Sequence, residues 1–221
     1  MEIPPVPYSR HDLDKAKSSI DGGPPSGREA IDYESELEVP LEEFRNKKVL
    51  DLGAGSGLGF ARGLKEMGVE SEVHSFSPAF AEPGPAQEAT GFVQDEASTL
   101  VVAGMAEALP YRENSFDIVV SLHLFEHIRS IPNLISIVEE IVRVLKPNGV
   151  AHIGPIAEYR PPRFDAESFL MTRPLIENTF PTKVGFEFSW KRNKPPLDVI
   201  VVSDGQSKQG TFGCVLSITK I

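Results

Sequence analysis

The chain has 221 residues with 40% hydrophobic side chains, enough to bury one sizeable core. Its 22 Lys and Arg against 32 Asp and Glu leave a net charge of -10, which disfavours nucleic acid or an anionic membrane as a partner. One cysteine, Cys214, excludes an intramolecular disulfide and a paired-cysteine zinc site, and it suits a cytoplasmic location. No apolar run approaches the ~18 residues of a membrane span, and residues 1–10 lack the basic and apolar regions of an export signal, so neither is expected.

Residues 1–44 hold Pro4, Pro5, Pro7, the Gly22-Gly23-Pro24-Pro25 turn, and 11 acidic side chains against 4 basic ones. With few apolar residues for a core, this stretch reads as an N-terminal arm or lid containing one short helix over residues 27–36. A domain is expected from 45 to 221. Its first element is the apolar run Val49-Leu50-Asp51-Leu52, ended by glycines and followed by Leu58, Phe60, Ala61 and Leu64 at helical spacing up to Gly68. That pattern predicts strand, tight loop, helix. Further strands are expected over residues 73–76, 99–103, 116–121 and 149–154, each apolar on both faces as a buried parallel strand is. Before the last of these, Leu134, Ile137, Val138, Ile141 and Leu145 form one helical stripe, with Pro132 in the first turn and Pro147-Asn148-Gly149 as the stop. Strands alternating with helices imply right-handed crossovers and a parallel sheet covered on both faces. The last third changes texture. Strand-like runs at 186–190, 199–203 and 212–219 are separated by turn residues, the last two by 204–210, and predict hairpin pairing.

The sequence Val49-Leu50-Asp51-Leu52-Gly53-Ala54-Gly55-Ser56-Gly57 sets three glycines at alternate positions between a strand and a helix. Missing side chains there let a ligand press on the backbone beside the free N–H groups of a helix start. The dinucleotide pattern GxGxxG fails at Leu58 and Phe60, and no Gly-Lys-Ser/Thr follows for a phosphate loop. Two more stretches matter: Ala106-Glu107-Ala108-Leu109-Pro110-Tyr111 leading to Asn114-Ser115-Phe116-Asp117-Ile118-Val119-Val120-Ser121, and Arg143-Val144-Leu145-Lys146-Pro147-Asn148-Gly149. Together with the glycine loop they resemble, in order, the motifs of the class I S-adenosylmethionine-dependent methyltransferases, over roughly residues 47 to 154.

The resemblance implies an α/β three-layer sandwich with a Rossmann-like, seven-stranded, mostly parallel sheet and an antiparallel last strand, strands six and seven lying in about 182–221. It implies S-adenosylmethionine as cofactor, with Asp51, Gly53, Ala54, Gly55, Gly57, Ser75, Phe76, Met105, Ala106 and Ser121 around it. Asp51 would orient the amino group of the methionine part, or the loop itself by accepting from its amides. The sequence departs from the family at three places. Ser75 stands where an acid usually accepts from the ribose hydroxyls, Met105 stands where an Asp usually meets the adenine amine, and Pro78, Pro83, Gly84 and Pro85 interrupt the expected second helix. An irregular loop is expected over residues 78–91.

His123-Leu124-Phe125-Glu126-His127 matches the metalloprotease pattern HxxEH, which needs all three residues on one helix; here the first lies just past a strand. The segment is also similar to the ExxEH region of methyltransferases that bind a divalent ion. His123 replaces the first Glu there, and the next histidine is the distant His152, so no metal is expected. His127 is the candidate general base, its imidazole titrating near ~6.5 unperturbed, with capping or packing as the alternative role; His11, His74 and His152 read as structural or surface residues. For the substrate, the family pattern points to Tyr33 in the arm and to Glu158, Tyr159, Arg160, Arg163, Phe164 and Phe169 after strand five. Residues 156–221 carry 9 basic against 7 acidic side chains, so an anionic small molecule stays open as acceptor. Trp190-Lys191-Arg192-Asn193-Lys194 reads as an exposed hairpin turn. Two functions remain: methyl transfer to an O, N or C nucleophile of a small molecule, or a catalytically degenerate domain serving as an interaction or regulatory module.

Overall fold

The structure, a computed structural model, describes residues 28–55, 58–81, 99–128, 130–157, 172–181, 185–192, 198–203 and 206–221. Eight strands appear in chain order: β1 (Lys48–Leu52), β2 (Glu72–Phe76), β3 (Thr99–Val102), β4 (Phe116–Leu122), β5 (Leu145–Ala157), β6 (Phe186–Arg192), β7 (Asp198–Ser203) and β8 (Gln206–Lys220). Four α-helices accompany them among the described residues: α1 (Ala30–Leu37), α2 (Gly59–Glu66), α3 (Ile131–Val144) and α4 (Arg173–Thr179). The sheet runs β3-β2-β1-β4-β5-β8-β6, with β7 paired to the first half of β8. Strands β3 to β5 of that path are parallel, and β8 enters antiparallel between β5 and β6. The seven-stranded, mostly parallel sheet with an antiparallel end is therefore the architecture observed.

Apolar residues on both faces of the central strands divide the core in two. Leu50, Leu52, Phe76, Val119 and Ile153 pack under α3, whose Leu134, Ile137, Val138, Ile141 and Val144 form the buried stripe. Each such aliphatic side chain, fully buried, contributes roughly 1.5–3 kcal/mol. On the other face, Val49, Val73, Ile118 and Val120 pack against Phe60 and Leu64 of α2 and against Ala30, Tyr33 and Leu37 of α1.

Several boundaries differ from the sequence reading. The α3 stripe ends at Val144, not Leu145, because the backbone turns extended at Leu145 and that residue pairs with Phe116 of β4; Pro147, two residues on, has no N–H to continue a helix. β5 accordingly spans Leu145–Ala157 rather than 149–154. β8 starts at Gln206, so 206–210 is strand and not turn, and Trp190, Lys191 and Arg192 lie within β6 on the sheet edge instead of in a hairpin turn. The arm expected over residues 1–44 is described from Arg28 onward, and there it is packed: Ala30, Tyr33, Leu37, Val39, Leu41 and Phe44 are all buried. Its helix starts at Ala30 because Glu29 and Asp32 close a capping box, the Glu29 N–H donating to Asp32 Oδ2 at 2.8 Å. Past β2 the chain makes one 3-10 turn, Pro78–Ala81; the rest of the expected irregular loop lies outside the described residues. Among the described residues no helix is long and apolar enough to cross a membrane.

Candidate active site

In the parallel part of the sheet the carboxyl ends of β1, β2, β3 and β4 share one edge. Chain order reverses between β1 and β4, so the loops after those two strands part in opposite directions and leave a crevice. Gly53 and Gly55 form the turn leaving β1 with φ of +86° and +67°, values an L side chain rarely adopts. A Cβ on Gly53 would lie 3.1 Å from Leu124 Cβ. The glycine turn and the segment after β4 therefore meet at the switch point.

Asp51 is the penultimate residue of β1 and is 1% exposed. The Tyr33 hydroxyl of α1 donates to its Oδ1 at 3.0 Å, while Oδ2 is buried without a partner. Burial pushes this carboxyl up to about 7, against the pull of the Tyr33 hydrogen bond. Tyr33 in turn is raised well above the usual phenol range by its own burial and by the neighbouring carboxyl. Among the described residues the loop amides bonded in the chain do not use Asp51. Gly53 N–H and Ala54 N–H both donate to the Phe76 carbonyl, at 2.8 and 3.1 Å, so Asp51 is left to the arm helix and to whatever enters beside Oδ2.

Ser75 pairs in register with Asp51 across β1 and β2. It is fully buried, and its hydroxyl, like that of Ser121 near the end of β4, has no partner. Phe76 lies on the α3 side of the sheet at 6.1 Å, ring to ring, from Tyr111. Met105 is half-buried and its carbonyl accepts from Ala108 N–H, whereas Ala106 packs into the core beside Leu109. Ala54 packs with Leu58 and Phe80 beneath the loop. Gly57, together with the substrate candidates Glu158, Tyr159, Arg160, Arg163, Phe164 and Phe169, lies outside the described residues.

The histidine segment resolves differently from its pattern. His123 is the first residue after β4 and has φ of +64°. Its Nδ1 lies 2.7 Å from Glu126 Oε1 and its Nε2 2.8 Å from Glu36 Oε2 of α1. Burial would lower this imidazole, but the two carboxylates outweigh it and hold it above its usual range. His127 closes the 3-10 turn Phe125–His127 and is exposed. The three motif residues do not share a helix, and no group of three or more His, Cys, Asp or Glu among the described residues could hold a metal ion. His74 and His152 are core histidines: His74 packs edge-on to Phe116 and pairs with Glu72, and His152 Nδ1 lies 3.1 Å from Ser217 Oγ.

Tyr33, read from sequence as a substrate-pocket candidate in the N-terminal arm, is a buried partner of Asp51. The roles of Tyr33 and Glu36 toward Asp51 and His123 were missed. Their signal was present, since the two are three residues apart and so share one helical face.

The Methyltransferase domain model matches residues 50–153. Sterol 4-C-methyltransferase strm-1 of Caenorhabditis elegans is 30% identical over 109 residues, which is 49% of this chain and 31% of that protein. The chain thus spans about a third of the length of this curated relative. In structure it resembles a SAM-dependent methyltransferase of Methanosarcina mazei, with a TM-score of 0.58, 16% identity and coverage of 83% of this chain and 98% of the other. It also resembles the Burkholderia thailandensis 1,6-didemethyltoxoflavin-N1-methyltransferase solved with its substrate and S-adenosylhomocysteine, with a TM-score of 0.58, 19% identity and coverage of 100% and 93%. At such identities the likeness concerns the fold.

Proposed function

We propose that this chain is a class I S-adenosylmethionine-dependent methyltransferase, a reading supported by the Methyltransferase domain match over residues 50–153, and that it binds S-adenosylmethionine at the β1/β4 switch point and methylates an O, N or C nucleophile of a small molecule. The observation that carries the proposal is Asp51, a buried carboxyl with one oxygen unpartnered beside a glycine turn that keeps its backbone bare. Leaving such an oxygen unpaired costs ~1–3 kcal/mol or more, a cost that a donor on a ligand, such as an amino group, would offset. The described residues fit the cofactor on that side: Asp51 for the methionine amino group, Gly53, Ala54 and Gly55 for close backbone approach, and Ser121 as a further hydroxyl. On the adenosine side, Ser75 supplies one hydroxyl, Phe76 and Met105 supply apolar surface, and Ala106 leaves space.

When bound, the cofactor supplies a methyl group already activated on a sulfonium. The chain then has to hold the acceptor in line, which contributes most of the rate in such a transfer. Leu124 against Gly53 fixes the segment after β4 over the glycine turn, and buried Phe125 anchors it to the core. Where the acceptor must lose a proton, the exposed His127 is the base proposed here. His123 is a poorer one, since both its ring nitrogens lie against carboxylates. The sterol and toxoflavin acceptors named for the relatives are small molecules, which supports an acceptor of that class.

A second reading, an interaction or regulatory module without transfer, is favoured by Ser75 and Met105, which stand where the family usually has carboxylates and supply none. Calorimetric titration with S-adenosylhomocysteine separates the two. A single saturable site is expected, and no binding at millimolar ligand would leave the module reading standing.

A further inference from the structure

We propose that Tyr33 is a positioning residue of this site: from the arm helix it takes one oxygen of the Asp51 carboxyl and thereby fixes which oxygen is left for a ligand. The inference rests on the reading that a ligand amino group is held at Asp51. Its basis is geometric. Both side chains are buried, the Tyr33 hydroxyl is 3.0 Å from Oδ1, Oδ2 has no partner, and the amides of Gly53 and Ala54 are committed to Phe76. A carboxyl with one oxygen already tied cannot rotate freely, so the remaining oxygen keeps one direction.

The hydroxyl is itself placed by packing. α1 lies directly on α2, so close that a Cβ on Gly59 would fall 2.0 Å from the Arg28 carbonyl oxygen and one on Gly63 2.8 Å from Ala30 Cβ. The Tyr33 ring lies against Phe60 of α2, centroids 4.5 Å apart. One turn along α1, Glu36 holds His123, so the arm helix reaches both the glycine turn and the segment after β4. The groups around Asp51 are few. Tyr33 faces it from α1, with Arg28 and Glu36 acting on Tyr33 from the same segment. Ser75 is its register partner on β2 and Val120 its partner on β4, and neither carries charge. Tyr33 donates to the ionised carboxyl and favours that form, so it also governs the pH at which the free oxygen becomes an anion.

The test compares wild type with Tyr33→Phe, which keeps the ring on Phe60 and removes one oxygen, and with Glu36→Gln, which weakens the arm's contact with His123 and keeps the Tyr33 hydroxyl on Asp51. Two curves are measured over about pH 5 to 9: the carbon-13 shift of the Asp51 carboxyl in ligand-free protein, and the affinity for S-adenosylhomocysteine. The wild-type carboxyl is expected to titrate at about 7, with affinity rising through the same range. In Tyr33→Phe both curves move up by about one pH unit, so affinity falls roughly fivefold at pH 7 and recovers in base. Glu36→Gln leaves the Asp51 midpoint in place. Fluorotyrosine at position 33, a stronger donor of nearly the same size, moves both curves down and serves where Tyr33→Phe fails to fold. An unmoved carboxyl midpoint overturns the proposal, as does an affinity loss equal at every pH, which a merely structural role would give. No binding by wild type at any pH overturns the cofactor reading instead, while the carboxyl midpoints still report whether Tyr33 controls Asp51.

Discussion

Asp117 near the start of β4 and Asp51 near the end of β1 sit on neighbouring strands, and the two edges of the sheet treat them oppositely. At the amino edge, Asp117 accepts from Lys48 N–H at 2.9 Å and from Lys146 Nζ at 2.8 Å on each oxygen. Burial alone would raise it, yet these partners hold it below the usual carboxylate range. Nearby, Lys220 Nζ donates to Asn114 Oδ1 and to the Leu145 carbonyl. At the carboxyl edge, Asp51 has a single partner and a raised pKa, and the hydroxyls of Ser75 and Ser121 are buried with none. One edge is satisfied within the chain; the other keeps acceptors and hydroxyls in reserve. Ring nitrogens of His74 and His152 are unpartnered in mid-sheet too, but a carboxyl oxygen and two hydroxyls left unmet near one glycine turn mark a place shaped for a ligand rather than for stability.

Replacing Asp51 tests that contrast most severely. Its folded-state pKa of about 7 lies above the ordinary aspartate value of 3.8. The folded state therefore holds more protons than the unfolded state between those values, stability falls as pH rises through the window, and it is level above it. The full span corresponds to on the order of 4 kcal/mol. Asp51→Asn does not titrate, so its stability relative to wild type should improve by about that amount between pH 4 and pH 8 in urea melts. Cofactor affinity should fall more than tenfold in the same variant. A constant stability difference across pH would show that Asp51 is not the strained group.

A smaller effect is expected from Gly59→Ala. The new methyl meets the Arg28 carbonyl, which is backbone and cannot rotate aside, so α1 must lift. Overpacking of this kind costs about 1–3 kcal/mol, and the lift draws Tyr33 away from Asp51. Thermal denaturation with limited proteolysis near residues 28–37 would report both; a variant as stable and as resistant as wild type would mean the arm is not seated on α2.

Much of this was legible in the chain. β1 to β4 were readable because parallel strands buried on both faces are apolar throughout, and α3 because its stripe is regular. The start of β8 was not, since Gln206-Ser207-Lys208-Gln209-Gly210 has the composition of a turn and becomes strand only by pairing with β7. The end of β6 was missed for a related reason: Lys191 and Arg192 suit the edge of a sheet as well as a loop. In the arm the short helix was readable over residues 27–36 and lies at Ala30–Leu37, but the prolines and acidic residues around it masked that Ala30, Tyr33 and Leu37 form a buried face. Asp51 and the glycines were found by their place after an apolar strand. Its partner was not, because Tyr33 lies 18 residues away and only the close approach at Gly59 and Gly63 brings it in. For the histidines, spacing drew attention to His127, while the residue held between two carboxylates is His123, a choice decided by Glu36 from a distant element.

The mildest variant tests the satisfied edge. Asp117→Ala removes a half-buried carboxylate, its pair with Lys146 and an acceptor for Lys48 N–H. The pair is partly exposed, so the loss should be only about 1 kcal/mol at neutral pH. The sign with pH is opposite to that of Asp51. A depressed folded-state pKa gives stability that is present above the unfolded value and lost as pH falls through the folded one, so the variant and wild type should converge in acid. Affinity for S-adenosylhomocysteine should stay within about twofold, since this carboxylate makes its bonds inside the chain at the far end of β4. A ligand affinity that moved with Asp117 as it does with Asp51 would mean that the two edges are coupled, and the division of labour between them would no longer hold.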